Sequence, residues 1–245
     1  MTTPDLQAAA DALAIGVSII DRAVGHAAAL PDTDDHQSLL YDLAHAASGI
    51  EISRSLLDYG AKGENEGKLA CAFIADVLAD LQSKLFSRET AWGVGNGELD
   101  PAREFISRFR DPEFVAQLAV LEAPQHLDED FEMVADTFRR FAEDKIAPRA
   151  EHIHRQDMDI PEDIIDGLAE LGCFGLSVPE EYGGFATGSE SDYMGMVIAT
   201  EELSRASLGA GGSLITRPEI LTRALERGGT EEQKREWFPK IATGE

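Results

Sequence analysis

Apolar residues return every three or four positions along most of this chain, a spacing that buries one face of a helix and leaves little room for any other element. Leu6, Ala9, Leu13, Val17, Ile20 and Val24 form one such stripe, Leu40, Leu43, Ala47, Ile50 and Leu57 a second, and Phe73, Val77, Leu78, Leu81 and Leu85 a third. Pro31-Asp32-Thr33-Asp34-Asp35 separates the first two, and Gly60-Ala61-Lys62-Gly63-Glu64-Asn65-Glu66-Gly67 reads as a polar loop before the third. Three amphipathic helices must bury their faces against each other, the rest of the chain or another subunit, and an antiparallel bundle does this most simply. The expected fold class is all-α.

Gly93-Val94-Gly95-Asn96-Gly97 reads as a flexible junction, followed by shorter helical patterns from Pro101 to Arg110 and from Pro112 to Leu121. The spacing places a domain boundary near Pro124, giving a helical extension over 1–123 and a second helical domain over 124–245. In the latter, Asp128 is a suitable N-cap for a stripe of Phe131, Val134, Ala135, Phe138, Ala142 and Ile146, which Pro148 is expected to close. Another helix is expected from Pro161 through Ile164, Ile165, Leu168 and Leu171 to Gly172, whose freedom at positive φ suits a helix end. Tyr193, Met194, Val197, Ile198 and Leu203 form a further stripe, read as core. Thr230-Glu231-Glu232-Gln233 spells a capping box at the start of the last helix.

Charge narrows the class of partner. Against 21 Lys+Arg stand 46 Asp+Glu, a formal net charge of −25 that repels phosphate backbones and anionic headgroups, so nucleic acid and membrane surfaces are not expected partners. Two cysteines, Cys71 and Cys173, argue against a disulfide framework and fit a reducing cytoplasm, and no apolar run approaches the roughly 20 residues that span a bilayer. No metal site is spelled. His152 and His154 would lie about 200° apart around a helix and cannot share one ligand sphere.

Four segments occur in an order that resembles the N-terminal helical domain of the flavin-dependent acyl-CoA dehydrogenases. They are Phe138-Arg139-Arg140-Phe141-Ala142-Glu143-Asp144-Lys145-Ile146-Ala147-Pro148, the run from Leu171 through Val178-Pro179-Glu180-Glu181-Tyr182-Gly183-Gly184, Ala199-Thr200-Glu201-Glu202-Leu203-Ser204-Arg205, and the final stretch from Gly229-Thr230-Glu231-Glu232-Gln233 to Glu245. The long extension, together with the stretch from Gly212 to Leu225, resembles the members of that family that oxidise methylsuccinyl-CoA to mesaconyl-CoA.

The resemblance implies an α,β-dehydrogenation, with FAD as cofactor, an acyl-CoA as substrate, an electron-transferring flavoprotein as acceptor and a homo-oligomeric enzyme. A glutamate takes the α-proton while hydride leaves the β-carbon for the flavin, and hydrogen bonds to the thioester carbonyl stabilise the developing enolate. In the family that glutamate and most flavin contacts come from later domains, so the catalytic base is expected beyond Glu245 and no catalytic residue is named within the chain. Glu201 and Glu202 are read as a solvated helix face beside Arg205. The family's share for this domain is one wall of the acyl pocket, and by position Ser213, Leu214, Thr216 and Arg217 are the substrate-binding candidates. Pro218 biases Arg217 toward extended geometry, which would turn a guanidinium toward a substrate carboxylate. A stand-alone helical interaction module and an acyl-CoA dehydrogenase of other specificity remain the alternatives at this point.

Overall fold

A computed structural model describes residues 2–121 and 124–245, and for Glu190 and Arg217 the backbone only. The described residues are helical, with one isolated parallel bridge between Pro179 and Ala186 and no strand ladder among them. They divide into two compact units, Met1–Pro124 and Gln125–Glu245.

The first unit is built on three long helices, α1 (Leu6–Ala28), α2 (Gln37–Gly60) and α3 (Glu64–Leu85), completed by α4 (Glu89–Trp92), α5 (Arg103–Phe109) and α6 (Pro112–Leu118). Asp5 caps α1 by accepting from the Ala8 amide at 3.0 Å, and Asp111 caps α6 through the amides of Glu113 and Phe114. Its core joins Leu13, Ile19, Leu43, Ile50, Ile74, Leu78 and Leu81 to Trp92, Phe109 and Phe114. The stripes are displaced by part of a turn from the pattern in the sequence. Val24 is exposed, Phe73 and Val77 are only half-buried, and Ala12, Gly16, Ile19 and Ile74 carry the seam instead.

Two glycine tracts do something other than loosen the chain. The connection between α2 and α3 is only Ala61–Gly63, so Gly60 and Gly67 lie inside helices. A Cβ on Gly60 would stand 2.9 Å from both Ala70 Cβ and Leu6 Cδ2, so the glycine permits a close helix crossing. Nor is Gly93–Gly97 a junction between units. Gly93 (φ +68°) ends α4, Gly97 (φ +73°) makes the following turn, and the Gly95 amide donates to Glu98 Oε1 at 2.6 Å.

The second unit comprises α7 (Glu129–Phe141), a π-turn at Ala142–Ile146, α8 (Ala147–Arg155), α9 (Glu162–Glu170), α10 (Glu190–Ala206), a second π-turn at Leu208–Gly212, α11 (Ser213–Gly228) and α12 (Glu231–Thr243). Asp128 caps α7 through the Phe131 amide, and Gly172 at φ +73° follows α9. Pro148 does not close its stripe. The helix widens just before it, the Ala147 amide reaching back to Ala142 O, so the donor that proline lacks is no longer required and α8 continues. The core gathers Phe138, Ala142, Ile146, Ile164, Leu168, Phe174, Ala199, Leu203 and Ile215. Tyr193 (59% exposed) and Val197 (59%) face outward, so only Ile198 and Leu203 of that stripe belong to the interior.

Candidate functional site

The turn after α9 and the start of α12 are adjacent in space. Backbone bonds fold residues 175–186 back on themselves, with Phe185 N–H donating to Gly175 O at 2.9 Å and Ala186 N–H to Val178 O at 2.9 Å. Gly183 sits at φ +89°, and a side chain on Gly184 would collide with the Val178 carbonyl, so this turn closes only with the Gly-Gly pair. Tyr182 then reaches α12, its hydroxyl donating to Glu231 Oε2 at 3.1 Å and its ring packing on the fully buried Phe238 at 4.9 Å between centroids. The Glu-Glu-Tyr-Gly-Gly and Thr-Glu-Glu-Gln segments are therefore two halves of one contact. The capping box at its edge forms in both directions, Gln233 N–H to Thr230 Oγ1 at 3.3 Å and Thr230 N–H to Gln233 Oε1 at 2.9 Å.

Glu202 is not part of a solvated face. Its side chain is 6% exposed on α10 and accepts from Arg139 Nη2 at 2.6 Å and Nε at 3.2 Å, and from Arg205 Nε at 3.2 Å. Burial alone would push its pKa up, but the bonds from Arg139 and Arg205 outweigh that and hold it below the usual carboxylate range. Arg205 continues the network to Glu143 at 2.9 Å. All the partners are charged protein groups, so the carboxylate pins α7 to α10 and is not free to take a proton from a substrate. Its neighbour Glu201 is exposed and bonded to Gln125.

The four positions singled out in the sequence begin α11, directly after the π-turn. The turn is widened by the Ser213 N–H reaching Leu208 O, and the Ala210 N–H is satisfied by Ser207 Oγ at 3.1 Å. Ser213 Oγ donates to Gly209 O at 2.6 Å and Thr216 Oγ1 to Ser213 O at 3.1 Å. Both hydroxyl protons are thus committed to the helix backbone. Leu214 is half-buried and, with Ile165, Phe174, Pro218, Leu221 and Ile241, lines an apolar cavity of about 330 Å³ that Lys240 also borders. The backbone at Arg217 is helical and Pro218 lies inside α11, which corrects the extended geometry anticipated there: proline disfavours the α region for its predecessor without forbidding it. The Arg217 side chain lies outside the described residues. Sequence reasoning used Pro218 only for its effect on Arg217 and passed over Lys240 and the Gly-Ala-Gly-Gly run that builds the π-turn, although that run was legible as a break in helix-forming residues.

A second cavity, about 460 Å³, lies between the turn at Pro179–Thr187 and the helices α10 and α11. It sets Glu180, Glu181, Asp192 and Glu226 against Arg223, whose guanidinium stacks over Tyr193 at 5.1 Å. Asp192 is pushed up by burial but held below its usual range by bonds from Thr187, Gly188 and Ser189. This lining is a poor fit to the FAD expected from the sequence, because a diphosphate needs cationic or amide donors and would here face four carboxylates. The apolar cavity offers only Lys240. Among the described residues no His, Cys, Asp and Glu cluster suits a metal ion, and no helix is long and apolar enough to cross a membrane. His152 and His154 are exposed on either side of the buried Ile153.

The second unit, which carries these features, is also the part of the chain that resembles a known protein family. Residues 128–245 match the model of the acyl-CoA dehydrogenase N-terminal domain. A (2S)-methylsuccinyl-CoA dehydrogenase from Cereibacter sphaeroides is 36% identical over 236 residues, covering 86% of this chain and 42% of that protein. A mitochondrial isovaleryl-CoA dehydrogenase from Solanum tuberosum is 34% identical over 131 residues, 53% of this chain and 31% of that protein, and an acyl-CoA dehydrogenase from Bacillus subtilis (strain 168) is 32% identical over 120 residues, 49% and 30% respectively. The chain spans less than half the length of each of these relatives. The first likeness is too extensive to be confined to either unit, whereas the other two cover about half of the chain. Through residues 128–245, the chain belongs to the acyl-CoA dehydrogenase family.

Proposed function

We propose that this chain is the N-terminal part of an FAD-dependent acyl-CoA dehydrogenase that converts an acyl-CoA to its α,β-enoyl-CoA, with methylsuccinyl-CoA as substrate and mesaconyl-CoA as product. The observation that carries the reading is the domain match over residues 128–245, joined by the 36% likeness to a methylsuccinyl-CoA dehydrogenase across 86% of the chain. In this reading residues 1–123 are a helical extension and 124–245 the family domain. The start of α11 is one wall of the acyl pocket: Leu214 supplies apolar surface, Ser213 and Thr216 hold the backbone that carries it, and Arg217 meets the free carboxylate at the far end of the acyl group. A desolvated carboxylate requires such a partner, and a planar guanidinium supplies two parallel donors. Neither of the two cavities described above suits a flavin, so FAD is assigned mainly to segments outside this chain, and the glutamate that takes the α-proton is assigned there too. An electron-transferring flavoprotein as acceptor, a homo-oligomeric assembly and a cytoplasmic location complete the proposal.

The test uses full-length protein, its bound-flavin spectrum, and turnover of methylsuccinyl-CoA beside isovaleryl-CoA, which is branched but lacks the carboxylate. Arg217→Met is expected to cost about 2–5 kcal/mol in kcat/KM on methylsuccinyl-CoA, roughly 30- to 5,000-fold, with a much smaller loss on isovaleryl-CoA. Equal losses on both substrates would remove Arg217 from substrate recognition. Absence of flavin and of any acyl-CoA turnover would reject the enzyme reading itself.

A further inference from the structure

The two π-turns of the second unit are packed against one another. The one at Ala142–Ile146 ends in Ile146, fully buried, and the one at Leu208–Gly212 lays Gly211 onto it and onto the C-terminal turns of α10. A Cβ on Gly211 would stand 2.8 Å from the Leu203 carbonyl oxygen and 3.1 Å from Ile146 Cδ1. The first of these neighbours is backbone and cannot rotate away. Gly209, in the same turn, has nothing within 4 Å of the corresponding position. The sequence thus places four small residues in the turn, but only the inner ones are compelled to be small by contact. From this turn α11 starts without a break, its Ser213 amide bonded to Leu208 O and its Ser213 hydroxyl to Gly209 O. Any shift of the turn away from α10 is therefore carried into the first residues of α11.

We infer that Gly211, seated on Ile146 and Leu203, is a positioning residue that sets how far the first turn of α11 stands from α10, and so which acyl groups fit against that turn. π-Turns persist in helices mainly where a local geometry is needed that a regular helix does not supply. The inference rests on the assignment of the start of α11 to the acyl wall.

Gly211→Ala, made in full-length protein, is expected to change the ratio of kcat/KM for methylsuccinyl-CoA over isovaleryl-CoA by at least about fivefold, since displacements well under 1 Å are felt in a packed wall. Gly209→Ala makes the same chemical change in the same turn without touching the seat and is expected to leave that ratio within about twofold. Adding Ile146→Val to Gly211→Ala removes Cδ1 and is expected to restore part of the lost ratio. A purely structural role would lower both activities together, so an unchanged ratio in Gly211→Ala overturns the inference, as does an equal change in Gly209→Ala. Should wild-type protein turn over neither thioester, the enzyme reading fails, and the seat is decided by melting temperature in the 245-residue chain. There Gly211→Ala is expected to lower it by at least about 3 °C and Ile146→Val to recover part of that fall; equal melting of Gly211→Ala and Gly209→Ala refutes the seat.

Discussion

Replacing Arg139 by Met tests whether the buried Glu202 network holds the second unit together. Glu202 receives three bonds, at 2.6, 3.2 and 3.2 Å, and Arg139 supplies two of them. Hydrogen bonds to charged groups contribute about 1.5–3 kcal/mol each when well shielded. Arg139 is 42% exposed and Arg205, with its single bond to Glu202, remains in the variant, so the two lost bonds are worth less than their sum. Methionine keeps much of the stem packing on α7. The expected loss at pH 7 is about 1.5–3 kcal/mol, below the roughly 3–5 kcal/mol of a fully orphaned buried charge. Urea denaturation followed by tryptophan emission in a Trp92→Phe background, shared by wild type and variant, reports on the second unit through Trp237, since Trp92 belongs to the first. The sign of the pH dependence follows from the lowered folded-state pKa of Glu202. Its contribution is fully present above the unfolded value of about 4.3 and disappears as pH falls through the lower folded value. The gap between wild type and variant should therefore close in acid. A loss under about 0.5 kcal/mol at pH 7, or a gap that stays constant well below pH 4, would show that Arg139 is an ordinary surface ion pair.

Two further outcomes follow from packing. Gly16→Ala on α1 would bring a Cβ to 2.8 Å from both Ile50 Cδ1 and Leu78 Cδ2, and this overpacking should cost the first unit about 1–3 kcal/mol by thermal denaturation, whereas Gly25→Ala, with nothing within 4 Å, should be neutral or stabilising. Cys71 and Cys173 are both buried and free, and burial pushes their thiols up, Cys173 to about 12, so neither should react with an aromatic disulfide reagent at pH 8 until denaturant is added, when both should. A fast-reacting thiol in the native chain would contradict the packing of its unit.

The candidate site was legible only as far as local chemistry reaches. The Thr230–Gln233 capping box and the Asp128 N-cap formed as written, because each depends on side chains bonding amides within three residues. Ser213 and Thr216 were singled out by position, but residue type alone does not tell that their hydroxyls bond backbone carbonyls, Ser213 to Gly209 O in the π-turn and Thr216 to Ser213 O within α11. Glu202 looked like a surface residue since neighbours in sequence do not tell which side of α10 meets α7; the partner that buries it, Arg139, is 63 residues away.

Helical spacing and caps were enough to predict an all-α protein, since those signals arise from 3.6-residue periodicity and from contacts within one turn, whereas the family of the second half was read from the resemblance of four segments and not from periodicity. Tertiary structure decided what each glycine and each charge is for. Gly60 and Gly67 read as loop and proved to lie inside the helices that cross there, Pro148 read as a stop and proved to follow a widened turn, and Tyr193 and Val197 read as core and proved to face outward. In each case the deciding term is close packing or desolvation against a distant segment, a quantity that depends on which surfaces meet and so cannot be computed from neighbours along the chain.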